Sequence, residues 1–344
     1  MRAGATQVGS AQAQAALALL ALLAACARSD EGGSAARALY ELERLSFVPP
    51  AACTLLPNSD LSLTRAIVMD RFEFTRADLE HHWPGRARRA NALAAEFRDD
   101  AALDAPERGD WPAWMDFHEA EELAALRGMR LPTPTEWLHV AVGRRDYQKP
   151  WGGPGREFFA NTWVRQGGKD FGLNSPCNVG TYENGRSRPF GCYDLLGNVW
   201  EWVDGVVLPC IPAPEDRDGA PDDYGGAKAS VMGGAYDTPW RPTYELDRSI
   251  NQQRFHAQTL DKRTLGPSFG ARMCADAEPY LWAAAARWGR GDGVRARVRA
   301  VGLRWAREDA LARSALKSML AELRARSGAP EGLAWLEEGV QSDP

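Results

Sequence analysis

Residues 147–275 are dense in Gly, Pro, Trp, Asn and Asp and carry only short strand-like runs, such as Val231-Met232. A segment of that texture cannot build long helices or broad sheets, because Gly and Pro interrupt both. Turns must hold its backbone, and large side chains must fill its core. The chain's 13 Trp and 33 Gly supply both means. Trp buries large areas, and Gly takes backbone shapes closed to other residues. A loop-rich α+β domain is therefore expected rather than a helical bundle. The 344 residues leave room for one large domain with appendages, or for two modest ones. The 41 basic against 46 acidic residues give a net charge of −5, without the basic excess of a nucleic-acid binder.

The first 26 residues read as a leader rather than as part of the fold. Residues 15–25 are wholly apolar and follow a polar stretch begun by Arg2. At about 1.5 Å per residue that run is too short for a hydrocarbon core of about 30 Å, and it suits a signal peptide. It closes on Leu23-Ala24-Ala25-Cys26, which resembles the bacterial lipobox, whose Cys is lipidated. The expectation is an exported lipoprotein anchored through Cys26 on the periplasmic side or in the outer membrane. A plain secretory signal with an incidental Cys is the alternative. In that oxidising setting Cys53, Cys177, Cys192, Cys210 and Cys274 are expected to form disulfides, one being left over. Their connectivity stays open, and zinc-ligand spacing is absent.

Four segments are expected: the leader, 1–26; a tether and N-terminal extension, 27–64; a main domain, 65–276; and a helical tail, 277–344. In the extension a short helix over 38–45 is ended by Phe47-Val48-Pro49-Pro50. In the main domain 66–69 read as a strand, and 76–83 and 116–126 as helices. Thr135 is placed as N-cap of a helix over 136–142. The tail reads as helices over 280–288, 294–307, 308–326 and 330–340, a separate appendage with Leu316 and Leu320 on one stripe. Seven arginines between Arg287 and Arg307 alternate with Trp288, Val294, Val298, Val301, Leu303 and Trp305. They fit either helices packed on the main domain or contact with anionic lipid headgroups.

Eight motifs in order carry a resemblance. They are Met69-Asp70-Arg71-Phe72-Glu73-Phe74-Thr75; Trp111-Pro112-Ala113-Trp114-Met115-Asp116-Phe117-His118-Glu119-Ala120; Arg130-Leu131-Pro132-Thr133-Pro134-Thr135-Glu136-Trp137; Pro150-Trp151-Gly152; Val179-Gly180; Gly197-Asn198-Val199-Trp200-Glu201-Trp202; Gly233-Gly234; and Gly270-Ala271-Arg272. Together they resemble the formylglycine-generating enzyme, or sulfatase-modifying factor, family, whose domain is a variant of the C-type lectin fold. Trp137, Trp151, Trp200 and Trp202 are expected in its core.

The resemblance implies a calcium site over Asp194-Leu195-Leu196-Gly197-Asn198-Val199-Trp200-Glu201, with side-chain oxygens from Asp194 and Glu201 and backbone oxygens from Gly197 and Val199. Mixed carboxylate and carbonyl ligands on a loop suit calcium, and a plain structural turn is the alternative. A second implied site begins at Asn161, with Asp170 as its candidate partner. The family's activity, oxidation of a cysteine to formylglycine, needs copper on two thiolates, since soft ligands suit Cu(I). Those two positions hold Thr238 and Thr243 here. Copper and iron are therefore not expected. Tyr236, Asp237, Trp240 and Arg272 are the groove candidates beside the turn.

The five histidines, His81, His82, His118, His139 and His256, offer no pairing typical of an iron site, and His81-His82 reads as a solvated pair. Two functions of different class remain. One is a non-catalytic binding or structural lipoprotein, a pseudoenzyme of the cell envelope whose groove holds an envelope protein, peptide or glycan. The other is an oxidase with an altered metal site.

Overall fold

The computed structural model describes residues 35–56, 59–83, 109–142, 150–151, 159–162, 164–166, 169–171, 175–188, 190–206, 226–238 and 257–342. Cys26, Cys210, Trp240, Thr243 and His256, and the side chains of Cys53 and Asp170, lie outside the described residues.

Residues 35–43 form helix α1, followed at once by strand β1 (Leu45–Val48). The extension was expected to be helical to Leu45. Instead Leu45 and Phe47 join a sheet, where they are buried on pairing. A hairpin of β2 (Ala51–Leu56) and β3 (Ser59–Leu63) leads to β4 (Ile67–Asp70), as the apolar run at 66–69 predicts. β4 is the centre of a three-stranded antiparallel sheet, between β1 and β11 (Cys274–Asp276). Side chains alternate along these strands. Val68 and Phe47 point into one apolar cluster, while Ile67, Met69 and Val48 point into a second with Trp137 and Phe190. Both faces are thus covered, and the strand reads as a continuous apolar run.

Helices α2 (Arg76–His82) and α3 (Phe117–Leu126) each begin on a capping box, Thr75 with Asp78 and Asp116 with Glu119. Helix α4 (Pro134–Val142) departs from expectation at its start. Thr133, not Thr135, is the cap: its Oγ1 accepts the Glu136 N–H at 3.2 Å, and Glu136 Oε2 accepts the Thr133 N–H at 2.8 Å. Pro134 then takes the first helical position, where a missing N–H costs nothing.

Two three-residue strands, β5 (Val164–Gln166) and β6 (Lys169–Phe171), pair as a second hairpin. The other larger sheet has the order β10-β7-β8-β9, with β7 (Trp200–Val203), β8 (Lys228–Met232), β9 (Ala257–Asp261) and β10 (Phe269–Gly270). Trp137 and Trp202 have no exposed surface, and Trp151 and Trp200 are buried, so the indoles do supply core.

The tail helices α5 (Ala277–Ala285), α6 (Asp292–Glu308), α7 (Ala310–Ala325) and α8 (Glu331–Gln341) are present as expected. They are not set apart from the domain. Trp288, Val298, Val301, Trp305, Leu316 and Leu320 lie in the same cluster as Leu42, Leu45 and Phe47. Trp305 Nε1 donates to Leu45 O at 2.8 Å, and Arg304 donates to Glu43 O and Leu45 O. The outer edge of β1 is thereby covered, which removes an open strand edge. Helices α6 and α8 approach so closely that a Cβ on Gly302 or Gly339 would strike the opposing backbone. Among the described residues no helix is long and apolar enough to cross a membrane.

Candidate functional site

The site is built where the segment 193–203 crosses the ends of β4 and β11. Asp194 and Asn198 hold left-handed backbone angles, φ 56° and 63°, which Asp and Asn tolerate better than other side chains. Gly197, at φ 83°, has the Asn161 carbonyl where a Cβ would stand. That backbone turns Asn198 inward, where it ties four segments together. Its N–H donates to Asn161 O at 2.8 Å, and its Oδ1 accepts from the Cys177 N–H at 2.9 Å and from Asn161 Nδ2 at 3.2 Å. Its Nδ2 donates to Glu73 Oε2 at 2.5 Å, and its carbonyl accepts the Tyr236 N–H at 3.0 Å.

Beneath this lie three buried acids and one buried base. Arg272 grips Glu201 bidentately, Nη2 to Oε1 at 2.5 Å and Nε to Oε2 at 2.6 Å, and also donates to Tyr193 O. Trp137 Nε1 gives Glu201 Oε2 a further bond of 2.6 Å. Glu73 Oε1 accepts the Val199 N–H at 3.0 Å, and Asp194 Oδ2 accepts the Gly180 N–H at 2.7 Å. Burial, then the charges of Asp194 and Glu201, push the Glu73 carboxyl well above its ordinary range. Burial also pushes Asp194 up to about 6, against the Gly180 hydrogen bond.

This arrangement changes several readings. Glu201 does not present an open oxygen to a cation, because both its oxygens are committed to Arg272 and Trp137. Arg272 is no groove residue, having 0% exposure. Asp194, Gly197 and Val199 remain together around the turn, and Asn161 joins them with an Oδ1 that lacks a hydrogen-bond partner. Glu73 and Asn198 lie within the motifs, but no spacing rule assigns them the roles seen here. A lone acid and a lone amide in apolar runs were the available signal. Among the described residues no cluster of three His, Cys, Asp or Glu side chains has metal-binding geometry, so any calcium there would rest largely on amide and carbonyl oxygens.

Above the acids, Gly233 and Gly234 turn at φ 95° and 77°. Thr238 follows, its Oγ1 accepting the Ala235 N–H at 2.8 Å. Tyr236 is half-buried, and Asp237, exposed, accepts from Ser268 Oγ at 3.1 Å. Disulfides were expected, yet Cys177, Cys192 and Cys274 are free buried thiols. Burial pushes Cys177 up to about 12 and Cys192 up to about 11, and Cys274 likewise upward, so all three stay protonated. His81 is exposed as expected. His82 is not, since its side chain is 5% exposed, 3.5 Å from Glu41 and against Phe74. His118 and His139 lie on α3 and α4, far apart in exposure: the first is exposed, the second buried.

The family model described as "Sulfatase-modifying factor enzyme 1-like domain" matches residues 31–259. The chain belongs to that family. It is similar to a hercynine oxygenase of Mycobacterium tuberculosis, 33% identical over 129 residues, covering 35% of this chain and 28% of the relative. A formylglycine-generating enzyme of the same organism is 38% identical over 99 residues, covering 27% and 32%. An inactive C-alpha-formylglycine-generating enzyme 2 of Mus musculus is 35% identical over 100 residues, covering 27% and 31%. The chain thus spans about a third of the length of these relatives. Among solved structures, Treponema denticola variable protein 1 aligns at TM-score 0.44 and 13% identity, covering 67% of this chain and 94% of that one. PvdO from Pseudomonas aeruginosa aligns at 0.41 and 16%, covering 67% and 94%.

Proposed function

We propose that this chain is a non-catalytic member of its family, an exported lipoprotein that serves as a binding or structural module of the cell envelope. One observation carries the reading. At the first position that the resemblance gives to a copper thiolate stands Thr238, whose hydroxyl oxygen is already engaged by the Ala235 N–H. A hydroxyl is a poor Cu(I) ligand in any case. The described thiols are buried, protonated and on other elements, which supports the same conclusion. The ligand would be a peptide, glycan or envelope protein seated near Tyr236 and Asp237, with the membrane held through lipidated Cys26.

Calcium belongs to this reading as a brace. Glu73, Asp194 and Glu201 put three buried carboxylates near one buried guanidinium, that of Arg272. Uncompensated buried charge is costly, so either a proton or a cation must be taken up. Asp194 and Asn161, with the carbonyls of Gly197 and Val199, would hold that cation. Its role would be to fix the turn on which Asn198 stands.

The test is twofold. Purified without chelator, the mature protein should carry calcium near one per chain and should not oxidise a cysteine peptide with dioxygen above the metal-free background. Copper or iron near one per chain, with such oxidation, would replace this reading by the oxidase with an altered metal site, which the similarity to a hercynine oxygenase favours. Replacing Cys26 by Ser should move the protein out of the membrane fraction.

A further inference from the structure

Helix α1 is where the described chain meets the tether of the proposed anchor. Eight residues, 27–34, separate Cys26 from Ala35. Fully extended, that stretch spans only about 30 Å. Ala35 in turn packs on the loop between α5 and α6, where a Cβ added to Gly289 would lie 3.3 Å from the Ala35 Cβ. Trp288, without exposed surface, fixes this loop to the core. The start of α1 and the α5–α6 loop thus form one surface at the point where the tether joins.

The structure sorts the arginines of the tail. Arg295 and Arg299 share Glu338, Arg297 forks onto Glu43, and Arg304 donates to Glu43 O and Leu45 O. Those four are committed within the chain. Arg287 and Arg290, on the loop, are exposed, and Arg37 joins them from the first turn of α1. Among the described residues no hydrogen bond or ion pair holds these three side chains. Their charges also reach inward, Arg287 toward the buried Glu41 and Arg37 toward His82. The exposed acids at this end, Asp292 and Glu331, act on Arg295. Arg37, Arg287, Arg290, Arg295 and Arg299 thus outnumber Asp292, Glu331 and Glu338, in a chain whose net charge is −5.

We propose that this surface docks on the anionic headgroups of the leaflet that holds Cys26, an inference that rests on the lipoprotein reading above. The short tether keeps headgroups within reach, so three individually weak arginine contacts form at high effective concentration. The two large apolar side chains exposed among the described residues, Leu126 and Leu311, belong to neither α1 nor the loop. The contact is therefore electrostatic, and salt weakens it.

The mature polypeptide from Ala27 onward, prepared without lipid, is sedimented with vesicles of phosphatidylcholine, pure or mixed equally with phosphatidylglycerol. It should bind the mixed vesicles about a hundredfold tighter, since each of the three arginines contributes about fivefold at an anionic surface. About 1 M salt, with a screening length of about 3 Å, should abolish the difference. Arg37→Gln, Arg287→Gln and Arg290→Gln combined should bring binding down to the phosphatidylcholine level. Arg263→Gln, Arg307→Gln and Lys317→Gln combined remove the same charge from exposed sites elsewhere and should leave binding unchanged. Hydrogen exchange gives a readout without variants: on mixed vesicles the amides of 286–291 should slow, and those of 263–267 should not. The proposal is overturned if both kinds of vesicle bind alike, if neither binds, or if the two triple variants behave alike. A Cys26 found without lipid in the intact protein would sink the lipoprotein reading separately, because the vesicle assay uses no lipidated chain.

Discussion

Arg272 and Glu201 form a two-bond ion pair without exposed surface on either side chain, at the base of the site. The pair joins β7 to the segment entering β11, and Arg272 reaches on to the backbone of Asp70 and Tyr193. Removing one partner of such a pair leaves the other buried and unmatched. Arg272→Ala should therefore cost about 3–5 kcal/mol. The urea midpoint measures it, and a loss under about 1 kcal/mol would contradict the assigned role. Arg272→Lys should recover only part, since an ammonium cannot make the two-bond fork.

The start of α4 gives a sharper contrast between neighbours. Thr133→Ala removes the acceptor for the Glu136 N–H and should cost about 1 kcal/mol. Thr135→Ala, inside the first turn, should change stability by less than about 0.5 kcal/mol. Equal effects, read from paired denaturation curves, would return the cap to Thr135.

Asp194 predicts a pH dependence whose sign can be fixed. A carboxyl raised to about 6 in the fold binds its proton more tightly there than in the unfolded chain. Its ionised form costs stability above about pH 6, and that cost fades as pH falls toward the ordinary aspartate value. Burial pushes His82 down to about 3, which acts in the opposite sense over part of this window. Comparison with Asp194→Asn cancels the histidine, and Asn tolerates the backbone angle. In chelator, the wild type should gain about 2 kcal/mol on the variant between pH 7.5 and pH 4.5. Saturating calcium should remove that gain, because a bound cation stabilises the ionised form. A pH-independent difference in chelator would refute the argument.

Trp305 tests whether the tail is part of the domain. It is 1% exposed, 6.0 Å from the Phe47 ring, and bonded to Leu45 O. Trp305→Ala should cost about 3–5 kcal/mol. Truncation after Asp276 should abolish cooperative unfolding, since it strips one side of the cluster around Leu42 and Leu45. A truncated chain that melts cooperatively near the parent's Tm would mean that the tail is dispensable.

Local chemistry made much of this legible in advance. The apolar run at 66–69, the helix over 116–126 and the four tail helices follow from periodicity and helix signals, which act between residues a few positions apart. The ordered motifs pointed to the family, and the family match over residues 31–259 bears that out. Thr133 was also within local reach, through the Thr-x-x-Glu spacing with Pro at the first helical position. Thr135 only stands nearer the apolar run; Thr133 has the spacing to Glu136 that the box requires.

The amino-acid order alone reveals most of the helices, the strand at 66–69, the loop-rich character of the middle and the residue at each motif position, but not most of the strands. Tertiary structure alone decided who meets whom. Glu201 pairs with Arg272 across 71 positions of chain, Asn198 meets Glu73 across 125, and Trp305 meets Leu45 across 260. No spacing rule reaches that far. Whether a carboxylate holds a cation, a guanidinium or a proton depends on burial and on the charges beside it, and both exist only once the chain has closed.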